Sequence, residues 1–384
     1  MRSFITILLF SLAVSGQSIT FEYELNSESD TLLLLKSIDG AITVRGSAQK
    51  NIKIVQRISS NFDIESLNKG NLKSVNQIVE FNEQPGISIT IDRSYDITVP
   101  KNMNIRFDLL GGKIDVTDIH GSLKLVKLSG EITLNEIEGK VHVTTGNGDL
   151  TINNVKGDIL GSALNGNIFT GNTQGKLHLE TGSGDLSIIE HSGNLMMKTY
   201  VGNCIIQNTI GDSIHALTRG GDIAIHSLSS NDGIFNTMAG DILLENVDGN
   251  ISTETYGGII SGSNWTGDFT LQNYSGGLSL DNIHGNLKIN SFYGNVRIRR
   301  YFPDESIGDS SIIKIVSGNL NMSYTGDHVG LDVKTQGGAI TSNILKMVGK
   351  LPYIGVYHPE NEIHTISVTL LNGNIIINKG IVND

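Results

Sequence analysis

The chain has 384 residues, 28 Lys and Arg against 39 Asp and Glu, a formal net charge of −11 and a single cysteine. That balance excludes a protein that holds nucleic acid or anionic lipid by charge, and one cysteine excludes an internal disulfide. Its 45 glycines follow no Gly-X-Y period, which excludes collagen, and apolar residues at 38% suffice for a core.

The chain opens "MRSFITILLFSLAVSGQS": one Arg, an apolar run from Phe4 to Val14, then Ser15 and Gly16. This is the layout of a signal peptide over residues 1–16, with Gln17 as the first mature residue. The run is shorter than the roughly 20 residues of a membrane span, no cysteine follows it as in a lipoprotein, and no later stretch is a transmembrane candidate. The expected location is outside the cytoplasm: periplasm, cell surface or extracellular space. Residues 17–104 carry strand-like runs without a fixed beat ("FEYEL", "TLLLLKS", "AITVRGS", "NIKIVQRI", "ISITI", "DITVP"). They are expected to form a β-rich N-terminal cap and the first irregular coils, since terminal repeats must shield an open core.

From 105 to 300 the chain is periodic. Glycine stands at every ninth position from 112 to 220 and again from 240 to 294. Two residues past each Gly, except at Gly211 and Gly220, comes an apolar side chain such as Ile132, Val141 or Leu150, and two further on there is usually another. Alternation of this kind marks a short strand with one buried face, and the Gly with its Asn, Asp or Lys neighbour marks a corner. The units come in two alternating kinds, "GDLTINNVK" and "GKVHVTTGN". The predicted fold is therefore all-β: a right-handed parallel β-solenoid with about 18 residues per coil in two nine-residue strand-turn units, equivalent positions stacking about 4.8 Å apart. The beat slips between 211 and 240, where "GDSIHALTRGGDIAI" keeps its strand if Ser213 is extra and Ile214 and Ala216 point inward. A bulge explains such a slip; a functional site is the alternative. Residues 301–384 begin with the loop "YFPDESIGDSS" and continue as irregular coils, an excursion over 345–362 and a last strand pair, "ISVTLLNGNIIINKG".

At "DITVPKNMNIRFDLLGGKIDVTDIHGSLKL" (96–125) the chain resembles the exported bacterial β-strand-repeat proteins grouped as candidate adhesins of unknown function. The resemblance rests on Val99–Pro100, on Gly112 to Leu123, on the "TGSGDL" units and on "LLNGNI" (370–375), and it covers most of residues 32–380. It implies a repeat architecture and supplies no catalytic residue to carry over.

Candidate sites follow from the stacking. Tyr256, Tyr274 and Phe292 are 18 apart at the eighth position of their units, with Tyr200 in the same slot, and should form an aromatic ladder. Trp265 and Tyr301 share the other edge, with Ile283 between. Exposed rows of this kind suit flat sugar faces or apolar ligands, so Tyr256, Tyr274, Phe292 and Trp265 are the binding candidates. The alternative is that position eight fills the core, as Ile119, Leu128, Ile137, Val155 and Val247 suggest. His142 and His178 lie two coils apart with Leu160 between, and His215 lies beyond Met196. That is too far for a shared zinc, whose bonds to nitrogen are near 2.0–2.1 Å. Cys204 sits in an inward slot. Asp222 and Asp241 follow Gly on successive coils, as do Asp212 and Asp232 on the other corner if the slip is read so. Each pair offers few of the 6–8 oxygens calcium takes. Partial "GNGDL" matches do not make a calcium roll.

Residues after Gly alternate between acid and amide (Asp149, Asn167, Asp185, Asn203, Asp222), which removes like-charge contact along the stack and lets an Asn amide donate to the next carboxylate. No cofactor is implied, and no catalytic motif appears. The reading is a non-catalytic exported solenoid binding a glycan, matrix or envelope protein, with no nucleic acid and a monomer assumed. The alternatives are a structural or stress-related envelope component without a ligand, and a carbohydrate-active β-helix enzyme.

Overall fold

The computed structural model describes residues 6–10, 17–26, 32–36, 40–60, 71–75, 78–82, 92–304, 310–348 and 352–380. The strand expected at 87–91, residues 305–309 of the loop expected at 301–311, and residues 1–5 and 11–16 of the expected signal peptide lie outside the described residues. Every regular element among the described residues is a strand, and none is a helix long and apolar enough to cross a membrane. The chain forms two compact units, 1–187 and 188–384.

Both units are built from the 18-residue coil. In the first, Ile132–Glu138 stacks parallel on Leu150–Lys156, pairing Ile132 with Leu150, Leu134 with Ile152 and Ile137 with Val155. Val141–Asn147 stacks likewise on Ile159–Asn165. In the second unit, Ile260–Thr266 lies on Leu278–His284 and Phe269–Ser275 on Leu287–Tyr293 in the same register. The corner requires glycine twice over. Gly148 and Gly166 have φ of 134° and 145°. A Cβ on either would lie 2.2 or 2.3 Å from the carbonyl oxygen of the glycine one coil earlier. Coils this close leave no room for a side chain at the bend.

The residue after the glycine has a different task from the one its charge pattern suggests. Asn167 N–H donates to Asp149 Oδ1 at 2.7 Å, and Asp185 N–H to Asn167 Oδ1 at 2.8 Å. In the second unit Asp222 N–H donates to Asn203 Oδ1, and Asp241 N–H to Asp222 Oδ1, both at 2.8 Å. The side-chain oxygen thus satisfies the corner amide of the next coil. Asp and Asn serve equally, and Asp222 and Asp241 stand next to each other without an amide between them.

The two kinds of unit are two kinds of strand. In one, the seventh residue of the unit is left-handed: Glu136, Asn154 and Asn172 in the first unit, Asn246, Asn264 and Asn282 in the second, with φ from 49° to 59°. Asn tolerates this region better than most residues, and the amides form their own ladder, Asn172 Nδ2 to Asn154 Oδ1 at 2.7 Å and Asn282 Nδ2 to Asn264 Oδ1 at 2.8 Å. The twist turns position eight inward, so Ile137, Val155, Val247 and Ile283 are buried. The other strand is straight, and its position seven points inward instead. That slot holds Thr181, Thr218, Thr237 and Thr255, buried hydroxyls that donate to the carbonyls of Gly166, Gly202, Gly221 and Gly240 at 2.9–3.0 Å. Position eight of the straight strand then faces solvent.

The slip is two bulges in register. Cys204 pairs with Ile223, 19 residues on, while Ile242 pairs with Ile260, 18 on. Gly211 is level with Ser230 and Ser213 with Asp232, and Ser213 N–H donates to Asn194 Oδ1. Ser213 therefore holds the ordinary corner place and Asp212 is the added residue, matched on the next coil by Asn231, whose Nδ2 donates to Asp212 Oδ1 at 3.1 Å. Ile214 and Ala216 point inward, as expected. Asp212 and Asp232 are not in one slot. The added residue straightens the corner, so Cys204–Gly220 and Ile223–Ala239 run as 17-residue strands.

The ends are threaded. In the first unit Leu32–Lys36 lies between Ile78–Asn82 and Asn104–Leu109, and Ala41–Ser47 lies between Asp92–Pro100 and Ile114–Ile119, all parallel. Outside them come antiparallel strands: Asn71–Val75 on one side, and Asn51–Ser60, Gln17–Asn26 and Thr6–Phe10 on the other. The second unit repeats the scheme in reverse. The last coil in sequence, His364–Asn372 and Ile375–Lys379, is not the last in space. It lies between Ser310–Ser317 with Leu320–Tyr324 and Val329–Gly337 with Ile340–Ser342. Tyr353–Tyr357 and Lys346–Val348 cover the outer edge in antiparallel sense. Each end thus buries its sequence-terminal coil one layer deep and closes with antiparallel or very short strands, which blunts an open parallel edge. His358 ties the excursion to this cap, its Nδ1 2.7 Å from Glu362 and its Nε2 3.2 Å from Asp332.

Two outcomes are expected. Asn167→Ala removes the acceptor for Asp185 N–H and should cost about 1 kcal/mol. Asn167→Asp keeps the acceptor and should be nearly neutral at high salt, with a loss confined to low ionic strength; denaturant melts at two salt concentrations check both. The second concerns pH. The Glu362 carboxylate holds the His358 imidazole above its ordinary value. For Glu362, burial pushes the carboxyl up, but hydrogen bonds from Thr365 and His358 outweigh it and hold it below its ordinary value. A raised imidazole stabilises fully below its unfolded value near 6.5 and loses this as pH rises through the raised one; the lowered carboxyl stabilises above its unfolded value near 4.5 and loses this on acidification. The melting-temperature gap between the natural chain and His358→Asn should be widest between those values and shrink towards alkaline pH.

Candidate functional site

The alternation of strands decides which sequence-predicted residues can meet a partner. Tyr256, Tyr274 and Phe292 occupy position eight of straight strands. Tyr256 is 47% and Phe292 37% exposed, with Tyr274 half-buried between them. Their rings stack along the coil axis, centroids 4.3 Å apart at 5° for Tyr256 and Tyr274, and 4.8 Å apart at 7° for Tyr274 and Phe292. The expected ladder is there, but the ring faces are turned to each other and the edges to solvent. The Tyr274 hydroxyl, then the Glu254 charge, hold the Tyr256 phenol above its usual value, so this hydroxyl stays protonated near neutral pH.

The column is longer than the sequence indicates. Because each bulged coil adds a residue, its members before Tyr256 are Met238, Arg219 and Tyr200, level with one another by the pairing of Thr237 with Thr255, Thr218 with Thr237 and Thr199 with Thr218. The Lys198 ammonium and the Arg219 guanidinium lie 5.0 and 5.1 Å from the Tyr200 ring centre, within cation–π reach. Met238 is exposed, as are Val201 and Tyr293 in the adjoining ninth position. Five coil steps separate Tyr200 from Phe292, about 24 Å. Met238 and Arg219 were hidden by the slip. The signal in the sequence was partial and lay at position seven, most often Thr where position eight faces outward and Asn where it faces inward. Asn273, however, stands in the straight strand of Tyr274, and Ser227 is left-handed.

Trp265 is corrected by the same rule. It follows the left-handed Asn264 and is 0% exposed, so it has no surface to offer a ligand. It stacks between Val247 and Ile283, with Tyr301 beyond. Its indole N–H donates to the Leu244 carbonyl at 2.9 Å, and its ring sits 4.8 Å from Phe269. Gly262 makes the room: a Cβ there would lie 2.0 Å from the indole. Leu128, grouped with the core slots, belongs to a straight strand and is exposed.

The remaining candidates stay apart. His142 and His178 flank Leu160, and His215 is level with Met196. Cys204 is buried. Asp222 and Asp241 are neighbours, but one oxygen of each already accepts a backbone N–H, from Asp241 and from Ile259. No group of three metal-ligating side chains occurs among the described residues. At the bulge, His215 Nε2 lies 3.1 Å from Ser213 Oγ and 3.2 Å from Asp232 Oδ2. A catalytic triad needs the acid on one ring nitrogen and the hydroxyl on the other; here both share Nε2, so this grouping is not one.

Residues 172–378, just over half of the chain, match the family model described as Toastrack DUF4097. The chain belongs to the Toastrack family. No curated protein is a significant sequence match. Solved structures similar to this Toastrack chain include a candidate cell adhesion protein from Clostridium sporogenes, 10% identical over 95% of this chain and 100% of that one, with a TM-score of 0.18. Candidate adhesins from Parabacteroides merdae (12% identical, 66% of this chain and 95% of that one, TM-score 0.25) and Bacteroides fragilis (15%, 74% and 97%, TM-score 0.23) are also similar.

The buried and exposed aromatics of this Toastrack solenoid should respond differently. Trp265→Ala should cost about 3–5 kcal/mol, as for a large buried side chain, and Gly262→Val should be destabilising through overpacking against the indole. Tyr256→Ala should cost clearly less than Trp265→Ala. Thermal melts of the three variants check the order, and equal losses at Tyr256 and Trp265 would contradict the assignment of faces.

Proposed function

We propose that the chain is an exported, non-catalytic β-solenoid that binds another protein along the corner formed by Tyr200, Arg219, Met238, Tyr256, Tyr274 and Phe292. The observation that carries this reading is the row itself: a stripe about 24 Å long of Tyr, Phe, Met and Arg, with Val201 and Tyr293 exposed beside it. These are residue types enriched in protein interfaces. A sugar packs its C–H groups on an open aromatic face, and the stack covers those faces, so a protein surface suits the stripe better than a glycan. Export rests on the composition of residues 1–16, and its consequence is a mature protein that begins at Gln17, lacks the Thr6–Phe10 strand and has Gln17–Asn26 as its outermost strand at that end.

One observation favours a second reading, a structural envelope component without a ligand. Rings 4.3 and 4.8 Å apart stabilise neighbouring coils whether or not anything else touches them. Hydroxyl-radical footprinting separates the two. The protein is oxidised in the envelope of cells that produce it and, separately, after purification. Binding along the stripe predicts protection of Tyr200, Met238, Tyr256, Phe292 and Tyr293 in the cell, with Leu128 and Leu164 unchanged. Equal oxidation in both settings supports the ligand-free reading.

A further inference from the structure

The N-terminal side of the first unit carries an edge whose state depends on the leader. Gln17–Asn26 pairs antiparallel with Asn51–Ser60 along its whole length, from Gln17 opposite Ser60 to Asn26 opposite Asn51, without a bulge. Its other edge is held by the leader strand Thr6–Phe10, also antiparallel, with Thr6 opposite Glu24 and Phe10 opposite Thr20. The leader thus holds the place an incoming strand would take. Cleavage before Gln17, the export reading on which this inference rests, takes that strand away. A row of backbone N–H and C=O groups is then left open along Thr20–Glu24.

Sheets guard such an edge with a proline, a bulge, a short strand or outward charge. This strand has ten residues, neither Pro nor Gly, and an unbroken register. Its two charges, Glu22 and Glu24, are drawn to the strand on the inner side. Glu22 lies 3.4 Å from the Lys53 ammonium, and Glu24 accepts from Asn51 Nδ2. On the other face Phe21, Tyr23 and Leu25 are buried, and Phe21 and Tyr23 stand level with Leu9 and Ile7 of the leader. These features set three conditions on a strand that replaces the leader. It is antiparallel, it is apolar opposite Phe21 and Tyr23, and it carries no acid opposite Glu22 or Glu24.

We propose that in the mature protein this edge pairs with the same edge of a second copy, giving a two-fold dimer with one sheet running through both. Identical strands paired antiparallel form an isologous contact, and the charges select its register. Centred on Glu22, the pair sets Glu22 against Glu22; centred on Tyr23, it sets Glu22 against Glu24. Both put like charges face to face. Centred on Phe21, residues 17–25 of one copy run against 25–17 of the other. Glu22 then stands opposite Thr20 of the second copy, Glu24 opposite Ser18, Phe21 opposite Phe21 and Tyr23 opposite Ile19. The acids meet hydroxyl residues and the apolar row continues across the junction, so the strand meets all three conditions by itself. About nine residues a side is small beside a standard interface, and the association is accordingly of micromolar strength.

The test starts from the chain produced with its leader in a bacterium and recovered from the envelope. Intact mass and analytical ultracentrifugation are then measured. The expected result is the mass of residues 17–384 and a reversible dimer at micromolar concentration. Thr20 stands opposite Arg57 of its own sheet, which makes it the deciding position. Thr20→Glu gains that arginine within one copy, so its melting temperature in dilute solution should not fall. Across the two-fold it creates two Glu–Glu pairs and should weaken the dimer about tenfold. Thr20→Lys creates two Lys–Glu pairs and should tighten the dimer, although it faces Arg57 in its own copy. Loss of association in Thr20→Glu is therefore not loss of folding. A mixture of Thr20→Cys and Glu22→Cys chains should cross-link on oxidation, and neither variant should do so alone. A chain of the mature mass that stays monomeric up to about 100 µM overturns the proposal and leaves export standing. If that monomer binds a synthetic peptide of residues 6–10 flanked by lysines, the edge is open but serves a different partner, and the second copy is overturned as occupant. Recovery of the full mass overturns the export reading and the proposal together. Equal association of Thr20→Glu and Thr20→Lys, or cross-linking of either cysteine variant alone, overturns the proposal as well.

Discussion

The parallel backbone ladder between successive coils governs everything else in this protein. Its 18-residue step sets each residue directly over its equivalent, about 4.8 Å away, so a position is chosen for its fitness to touch its own kind. Glycine satisfies this at the bend, because only a residue without Cβ can sit within reach of the carbonyl below. Asn and Asp satisfy it after the bend, because their oxygen accepts the amide above. Asn satisfies it at the left-handed position, where its amide both donates and accepts along the column. Where Arg300 closes that column, the ladder gives way to ion pairing: the guanidinium turns to Asp281 and holds its carboxyl below the ordinary value.

The second governing fact is that the two half-turns are unlike. One left-handed residue per coil shifts the inward pattern from positions three, five and seven to three, five and eight. A large side chain at position eight is then core in one strand and surface in the next. Trp265 and Tyr274 stand at the same position of consecutive units, yet one is sealed beside Gly262 and the other borders solvent. The stripe is the accumulated result of straight strands.

The threaded ends address a weakness of the architecture. A solenoid ends in unpaired strand edges, which invite further strands. Here each terminal coil pairs on both sides, and the layer outside it is closed by antiparallel strands or by the three residues of Ile340–Ser342. The corner column keeps its hydrogen bonds through the rearrangement, running in space from Asn295 to Asn319 to Asn374 to Ala339. Chain order is broken there while the order of interactions is preserved.

Much of the fold was legible from residues alone because a stacked repeat writes its geometry into its spacing. The nine-residue glycine beat determined the corners, the apolar alternation determined the inward face, and their pairing determined the 18-residue coil and the ladder of Tyr256, Tyr274 and Phe292. The acid–amide alternation was visible but was assigned to charge, since a side-chain-to-backbone bond between coils leaves no trace in the identity of the donor. The fate of Trp265, the place of Asp212 in the bulge, the membership of Met238 and Arg219 in the stripe, and the position of the last coil were decided by tertiary structure. Each depends on a backbone twist or a strand pairing between residues distant in sequence, and a one-residue shift in either sends a side chain to the opposite face.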